Sequence, residues 1–312
     1  MSRIAIIDLG TNTFNLLIVE VNNDKTYNQL FQTKISVKLG EGGINKGFIA
    51  PIPFQRGIDA INIYKKIIVD YQAENTFAIA TSAIRDAANG KEFTERIKQE
   101  SDIEIKIISG EEEAELIYIG VREAAKMSHE KSLIIDIGGG STEIIIANKS
   151  EIFWKHSFLL GAARLLEKIK PSDPITESEI QMLFDFLQQE LQPLFEAEKK
   201  YPAKEIIGSS GSFDSLAEMI AGRFYSIDIA DGRTEHIFDM NDFNILYKDI
   251  LKSTKEERMK MKGLIAMRVD MIVVSSILLK FIIQSFNIQK MRSSTYSLKE
   301  GVLHQVLFAD FK

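Results

Sequence analysis

The chain contains no cysteine. Disulfides and thiolate metal sites are excluded together, and the four histidines, His129, His156, His236 and His304, are too scattered for zinc-ligand spacing. A bound metal would have to be a hard cation on oxygen ligands. Positive charge is not in excess either: 38 Lys and Arg stand against 44 Asp and Glu, a formal net charge of −6. That balance offers no global field to nucleic acid or an anionic membrane, so a polyanionic ligand must be met by a local site. Long apolar runs are missing too. The most apolar stretch, Met271 to Ile283, has 13 residues, short of the roughly 20 a membrane span needs. Asp8 interrupts the apolar N-terminus before a signal-peptide core can form. The expectation is a cytoplasmic protein with neither nucleic-acid nor membrane partners.

What is present is ordinary for a soluble globular chain: 312 residues, 45% hydrophobic and 26% charged, enough for two domains. β-Branched and apolar runs at 3–8, 14–21 and 27–38 read as a three-strand meander separated by turn residues. Helical spacing at 54–71 and 91–100 alternates with short strands at 76–80 and 103–108, and a long helix follows from Gly110 to Lys126. The pattern then restarts. Setting Asp8 over Asp136 aligns IAIIDLG with SLIIDIG, and each is followed by a turn and a second apolar strand. The second half reads as more helical, at 175–196, 211–222, 241–251 and 264–285, with short strands near Ile206 and Ile288. Prolines gather only at 51–53 and 171–174, at helix starts. The division is placed at 124/125, giving domains 1–124 and 125–312, with a last helix able to pack back on the first domain.

Each repeat carries an acid at the end of its first strand and small residues in the turn. The first loop is Asp8, Leu9, Gly10, Thr11, Asn12, Thr13, and the second runs Asp136, Ile137, Gly138, Gly139, Gly140, Ser141, Thr142, Glu143. Glycine and small hydroxyl residues let backbone N–H groups approach anionic oxygens without a Cβ in the way. One such turn is weak evidence, because inert hairpins also contain glycine; two in register suggest facing phosphate loops. A third cluster, ISGEEEAELIYIGV, opens with Ser109 as a candidate N-cap and Glu111, Glu112 and Glu113 in the first turn. These acids either complement the helix dipole or supply a general base for water. The loop Gly208, Ser209, Ser210, Gly211 lies between a strand and a helix, as an anion contact or as a polar lead into the helix. Arg85 and Arg268 stand near small-residue turns, as phosphate clamps or as surface ion pairs.

Taken in order, IAIIDLGTNTFNLLI, VKLGEGG, IATSAIRDAANG, IISGEEEAELIYIGV, LIIDIGGGSTEIII, LLGAARLLE, IIGSSGSFDSLAEM, MRVDMIVVSSILL and STYSLKEGVL cover nearly the whole chain. In this order and spacing they resemble the exopolyphosphatase and guanosine pentaphosphate phosphohydrolase (Ppx/GppA) family of the actin, sugar kinase and Hsp70 ATPase superfamily. The resemblance implies an α/β protein of two ribonuclease-H-like, actin-like ATPase domains with an interdomain cleft. The implied activity is release of terminal phosphate from inorganic polyphosphate, hydrolysis of pppGpp to ppGpp, or both. Glu113 would be the catalytic base, with Glu112 as the alternative. Asp136 and Glu143 would hold Mg²⁺ or another hard divalent cation. Phosphates would be cradled by Gly10, Thr11, Asn12 and Thr13 in one loop and by Gly138, Gly139, Gly140, Ser141 and Thr142 in the other. Asp8 would face the same cleft, Arg85 and Arg268 would offset substrate charge, and a homodimer is compatible with the resemblance.

Departures from the family pattern are local. GLREG is here Ser297, Leu298, Lys299, Glu300, Gly301, and RAD is Arg268, Val269, Asp270. The Lys weakens any bidentate phosphate contact at that position. Asn15 stands where the family is often basic, and the expectation is a short member without the helical domains that extend long ones. Two other readings stay open: an ATP-dependent small-molecule kinase of the same superfamily, and a (p)ppGpp sensor without turnover.

Overall fold

Strand alternation decides which residues of each sheet meet its helices. In the first sheet, β1 (Ser2–Leu9), β2 (Thr13–Val21) and β3 (Tyr27–Ser36) form an antiparallel meander. Ala5, Ile7 and Leu9 of β1, with Phe14, Leu16 and Ile18 of β2, enter one buried apolar cluster. By the period of two, Ile4, Ile6 and Asp8 point to the opposite face. The chain continues through α1 (Pro51–Asp70), β4 (Asn75–Ala80), α2 (Ser82–Arg85), α3 (Gly90–Ser101), β5 (Ile105–Ile107) and α4 (Gly110–Ala124). β4 lies parallel to β1 and β5 parallel to β4, so the order is β3-β2-β1-β4-β5. Ile58, Ile61 and Tyr64 of α1 and Phe93 and Ile97 of α3 complete the cluster. The buried Tyr64 hydroxyl donates to Phe14 O at 2.6 Å and accepts from Ile35 N at 3.1 Å, which pins α1 to the meander; burial lifts the phenol pKa above its ordinary range, opposed by the Ile35 hydrogen bond.

The computed structural model describes residues 2–225 and 233–308. Its second sheet repeats the plan of the first. β6 (Ser132–Ile137), β7 (Thr142–Ala147) and β8 (Ile152–Phe158) form the meander. Then come α5 (Ala162–Ile169), α6 (Glu177–Glu190), α7 (Gln192–Lys200), β9 (Glu205–Ser209), α8 (Ser210–Phe224), β10 (Glu235–Phe238), α9 (Met240–Lys252), α10 (Lys255–Arg258), α11 (Met271–Ser285), β11 (Met291–Ser294) and α12 (Leu298–Phe308). β9 is parallel to β6 and β11 parallel to β9, giving β8-β7-β6-β9-β11 with β10 antiparallel at the edge. The first five positions match those of the first sheet. Leu133, Ile135 and Ile137 face the larger apolar cluster with Ile144 and Ile146, so Asp136 and Glu143 emerge on the other face.

The chain groups into two compact units, Met1–Gly120 with Leu298–Lys312, and Val121–Ser297. The division falls at 120/121, inside α4, against 124/125 from the sequence. α12 belongs with the first unit, where Gly301 lies against the carbonyl of Leu116 and the helix packs on β1.

Several elements differ from their expected spans. The helix expected at 175–196 is two, α6 and α7, broken at Leu191 because Pro193 in the first turn of α7 has no N–H to continue the ladder. The helix expected from Leu264 begins at Met271, after the positive φ of Gly263 and a single 3-10 turn at Ala266–Arg268. The strand expected near Ile288 is β11, three residues later; Ile288 is buried in the preceding loop, and its apolar character reflects packing. No helix among the described residues is long and apolar enough to cross a membrane.

Candidate functional site

The residues singled out by sequence fall on both units. In the first unit, Gly10 N donates to Thr13 O at 3.1 Å and closes the β1–β2 hairpin. Thr11 O accepts from Leu39 N at 2.7 Å, and Asn12 O accepts from Val37 N and Lys38 N, both at 2.9 Å. A trans peptide places each N–H opposite the preceding C=O. With these carbonyls drawn to the 37–39 segment, the amides of Asn12 and Thr13 turn the other way. Asp8 lies directly across from Asn15, whose amide donates to Asp8 Oδ2 at 2.9 Å.

Glu113 sits in the first turn of α4 and is only 6% exposed. Its Oε2 accepts from Arg85 Nη1 at 2.7 Å, and the same guanidinium reaches Ile108 O at 3.3 Å and Asp86 Oδ1 at 3.4 Å. The sequence set Arg85 apart from the acidic helix; the fold puts its guanidinium on that helix's buried carboxylate. Glu112 turns elsewhere, with Oε1 accepting from Lys106 Nζ at 2.6 Å on the partly exposed side. Ser109 caps the helix, its Oγ accepting from Glu112 N at 3.1 Å.

In the second unit the β6–β7 hairpin closes in the same way, Gly138 N donating to Ser141 O at 3.1 Å. The carbonyls of all three glycines are taken by α5. Gly138 O accepts from Ala162 N at 2.8 Å, Gly139 O from Ala163 N at 2.9 Å and Arg164 N at 3.1 Å, and Gly140 O from Arg164 Nε at 2.9 Å. By the peptide geometry above, the amides of Gly139, Gly140 and Ser141 point away from α5. The Thr142 hydroxyl is committed inward, donating to Leu160 O at 3.0 Å. Gly161 makes this docking possible: a Cβ there would lie 2.4 Å from the Gly139 carbonyl and from Gly140 N. Gly161→Ala is expected to lower stability by about 1–3 kcal/mol through overpacking and, by shifting the hairpin, to raise KM in a phosphate-release assay; a thermal melt and a saturation curve check both.

Asp136 and Glu143 are 5% and 1% exposed and stand directly opposite each other across β6 and β7. Glu143 Oε1 accepts from Ser157 Oγ at 2.6 Å, and Asp136 Oδ2 from Ser209 Oγ at 2.9 Å. Ser209 therefore supports a carboxylate. The rest of its loop also closes on the hairpin, Ser210 and Ser212 hydroxyls reaching Ile137 O at 3.4 and 3.2 Å. Gly211 accommodates Arg268, whose Nη2 would fall 1.4 Å from a Cβ at that position. Burial lowers the Arg268 guanidinium below its ordinary range, opposed by the charges of Asp214, Asp136 and Glu218. The second unit thus gathers Gly138 to Thr142, Asp136, Glu143, the 208–211 loop and Arg268 at one end of its sheet. Sequence reading had missed Ser157 and Arg164, which act on the hairpin from β8 and α5.

Two buried carboxylates in register fit a hard cation that binds one or two protein carboxylates and completes its shell with water and phosphate oxygens. Among the described residues no cluster of three or more His, Asp or Glu forms a self-contained metal cage. A two-carboxylate site suits magnesium shared with a phosphate ligand better than a structural ion.

The two α/β units share one strand order over five strands, and each carries a hairpin whose backbone amides turn away from the segment that holds its carbonyls, within an actin-like ATPase fold. Residues 17–309 match the Ppx/GppA phosphatase family, and the chain belongs to that family of phosphoanhydride hydrolases. It is 28% identical over 302 residues to exopolyphosphatase 1 of Mycobacterium tuberculosis, covering 96% of this chain and 87% of that one. Against the guanosine-5'-triphosphate,3'-diphosphate pyrophosphatase of Vibrio cholerae it is 27% identical over 303 residues, 97% of this chain and 59% of the other. The crystal structure of an exopolyphosphatase from Cytophaga hutchinsonii superposes with a TM-score of 0.93 at 39% identity, over 98% of each chain. A Ppx/GppA family member from Aquifex aeolicus gives 0.80 at 26% identity, over 100% and 99% of the two chains.

Proposed function

We propose that this chain is a magnesium-dependent hydrolase releasing the terminal phosphate of inorganic polyphosphate, of pppGpp, or of both. The observation that carries the reading is the buried Asp136–Glu143 pair beside a glycine hairpin whose amides face outward. Family membership and the relatives' names support the phosphoanhydride class. Asp136 and Glu143 would hold the cation, which supplies charge neutralisation at the phosphoryl oxygens. The amides of Asn12 and Thr13 in one hairpin and of Gly139, Gly140 and Ser141 in the other bind phosphate oxygens, and Arg268 adds a fixed positive charge. Glu113, oriented by Arg85, takes a proton from the attacking water at its carboxylate. Water as the acceptor is supported by membership of a family of phosphoanhydride hydrolases.

The test is phosphate release from short polyphosphate, long polyphosphate and pppGpp, with and without Mg²⁺ and with no acceptor added. Magnesium-dependent release from at least one is expected. Phosphate transfer only when an acceptor is supplied would make the chain a kinase, and tight binding of pppGpp without turnover would make it a sensor.

A further inference from the structure

Four side chains line one face of the second sheet in a single row. Ser157 pairs with Glu143, Glu143 with Asp136, and Asp136 with Ser209, on β8, β7, β6 and β9. Laterally paired residues project from the same face, so the two carboxylates are bracketed by two hydroxyls. Ionised carboxylates only accept, so both serines donate, at 2.6 Å to Glu143 Oε1 and 2.9 Å to Asp136 Oδ2.

The internal repeat supplies a control. In the first sheet the corresponding row reads Lys34, Asn15, Asp8, Ile79, with the same pairings. That row has one carboxylate, no hydroxyl on either side, and an amide to satisfy the acid. The fold therefore does not need serines at these places; they accompany the carboxylate pair.

We infer that Ser157 and Ser209 are positioning residues that hold Glu143 and Asp136 in the orientation required to bind the cation. This rests on the reading of that pair as the cation ligands. Ser157 has the larger task. Glu143 has one more rotatable bond than Asp136 and comes from the side of the sheet nearest its edge strand, so an unheld carboxylate would spread over several rotamers. Hydrogen bonds of this outer kind typically account for a roughly 10- to 100-fold share of metal affinity.

The test uses the full chain and Mn²⁺ as a paramagnetic probe, with binding followed by electron spin resonance in the absence of substrate. Ser157→Ala is expected to weaken Mn²⁺ binding roughly 10- to 100-fold, and to raise the Mg²⁺ concentration giving half-maximal phosphate release by a similar factor. At saturating Mg²⁺, kcat recovers. Ser157→Thr, which keeps a hydroxyl, restores affinity to near the parent. Should Ser157→Ala fail to fold, Ser157→Cys replaces it, keeping shape with a much weaker donor. A lower melting temperature with unchanged Mn²⁺ affinity in Ser157→Ala, while Glu143→Gln abolishes binding, overturns the inference and leaves the cation site standing. Unchanged Mn²⁺ binding in Glu143→Gln removes both.

Discussion

Glu113→Gln will lower kcat for phosphate release by about 100- to 10,000-fold, the range a positioned general base contributes, with KM close to that of the parent. The split follows from the division of labour among the side chains. In the proposed site, substrate binding would fall to the hairpin amides, Arg268 and the carboxylate pair, none of which this substitution alters, whereas the new amide cannot accept the proton of water. Folding should survive the change. Arg85 keeps its contacts to Ile108 O and Asp86, and the carbonyl oxygen of the glutamine can still accept from Nη1. The cost is that of weakening one charge-assisted hydrogen bond, about 1–2 kcal/mol, visible in a thermal melt and separable from the kinetic loss. Glu112→Gln is the matched comparison. Its carboxylate is tied to Lys106 in a partly exposed pair, and such pairs contribute little, so its kcat should stay within about twofold of the parent. If the two variants exchange behaviour, Glu112 is the base; if Glu113→Gln turns over normally, the base lies outside α4.

The two acids could not be told apart from the sequence, because they are neighbours in one acidic first turn. What separates them is Arg85, 28 residues away, which the fold brings onto only one of them. The same distinction between local and distant runs through the molecule. The hairpins were legible because an acid, small residues and two apolar strands are adjacent in the chain, and because the motif occurs twice. The matching strand orders follow from the same repeat. The three glycines of the second loop looked like freedom for an approaching anion, and the amide directions agree, but their carbonyls serve α5, which begins more than twenty residues later. Ser157 carried no motif at all; its place next to Glu143 depends on the register of β8 against β7. Arg268 and Gly211 are likewise joined only by packing. Two helix boundaries depart from the apolar periodicity because single residues override it, Pro193 by lacking an N–H and Gly263 by its positive φ.

Glu143→Gln is expected to move stability and activity in opposite directions. In the absence of a cation, two carboxylates face each other directly across an antiparallel pair, both nearly inaccessible to solvent. Like charges so placed oppose folding, by roughly 0.2–1 kcal/mol at ordinary cross-strand sites and by more where water cannot screen them. Gln relieves that repulsion, keeps the shape, and retains an oxygen to accept from Ser157. With chelator present, the variant should melt about 1–4 °C above the parent, given the usual conversion for a unit of this size. Added Mg²⁺ should then reverse the order. The parent gains stability as its site fills, by about 2.7 kcal/mol at one hundred times the dissociation constant, while the variant gains almost nothing. Phosphate release should fall at least about 1,000-fold, since the cation's share of transition-state charge stabilisation is several kcal/mol and each 1.36 kcal/mol is tenfold in rate. A melt in chelator against Mg²⁺, run beside the activity assay, reads all three effects on the same two proteins. A variant that melts lower than the parent in chelator, still responds to Mg²⁺ and still releases phosphate would show that Glu143 is a structural acid and that the cation is held elsewhere. The expected crossing of the two melting curves is the signature of a site whose charge is tolerated in the fold for the sake of the ion it binds.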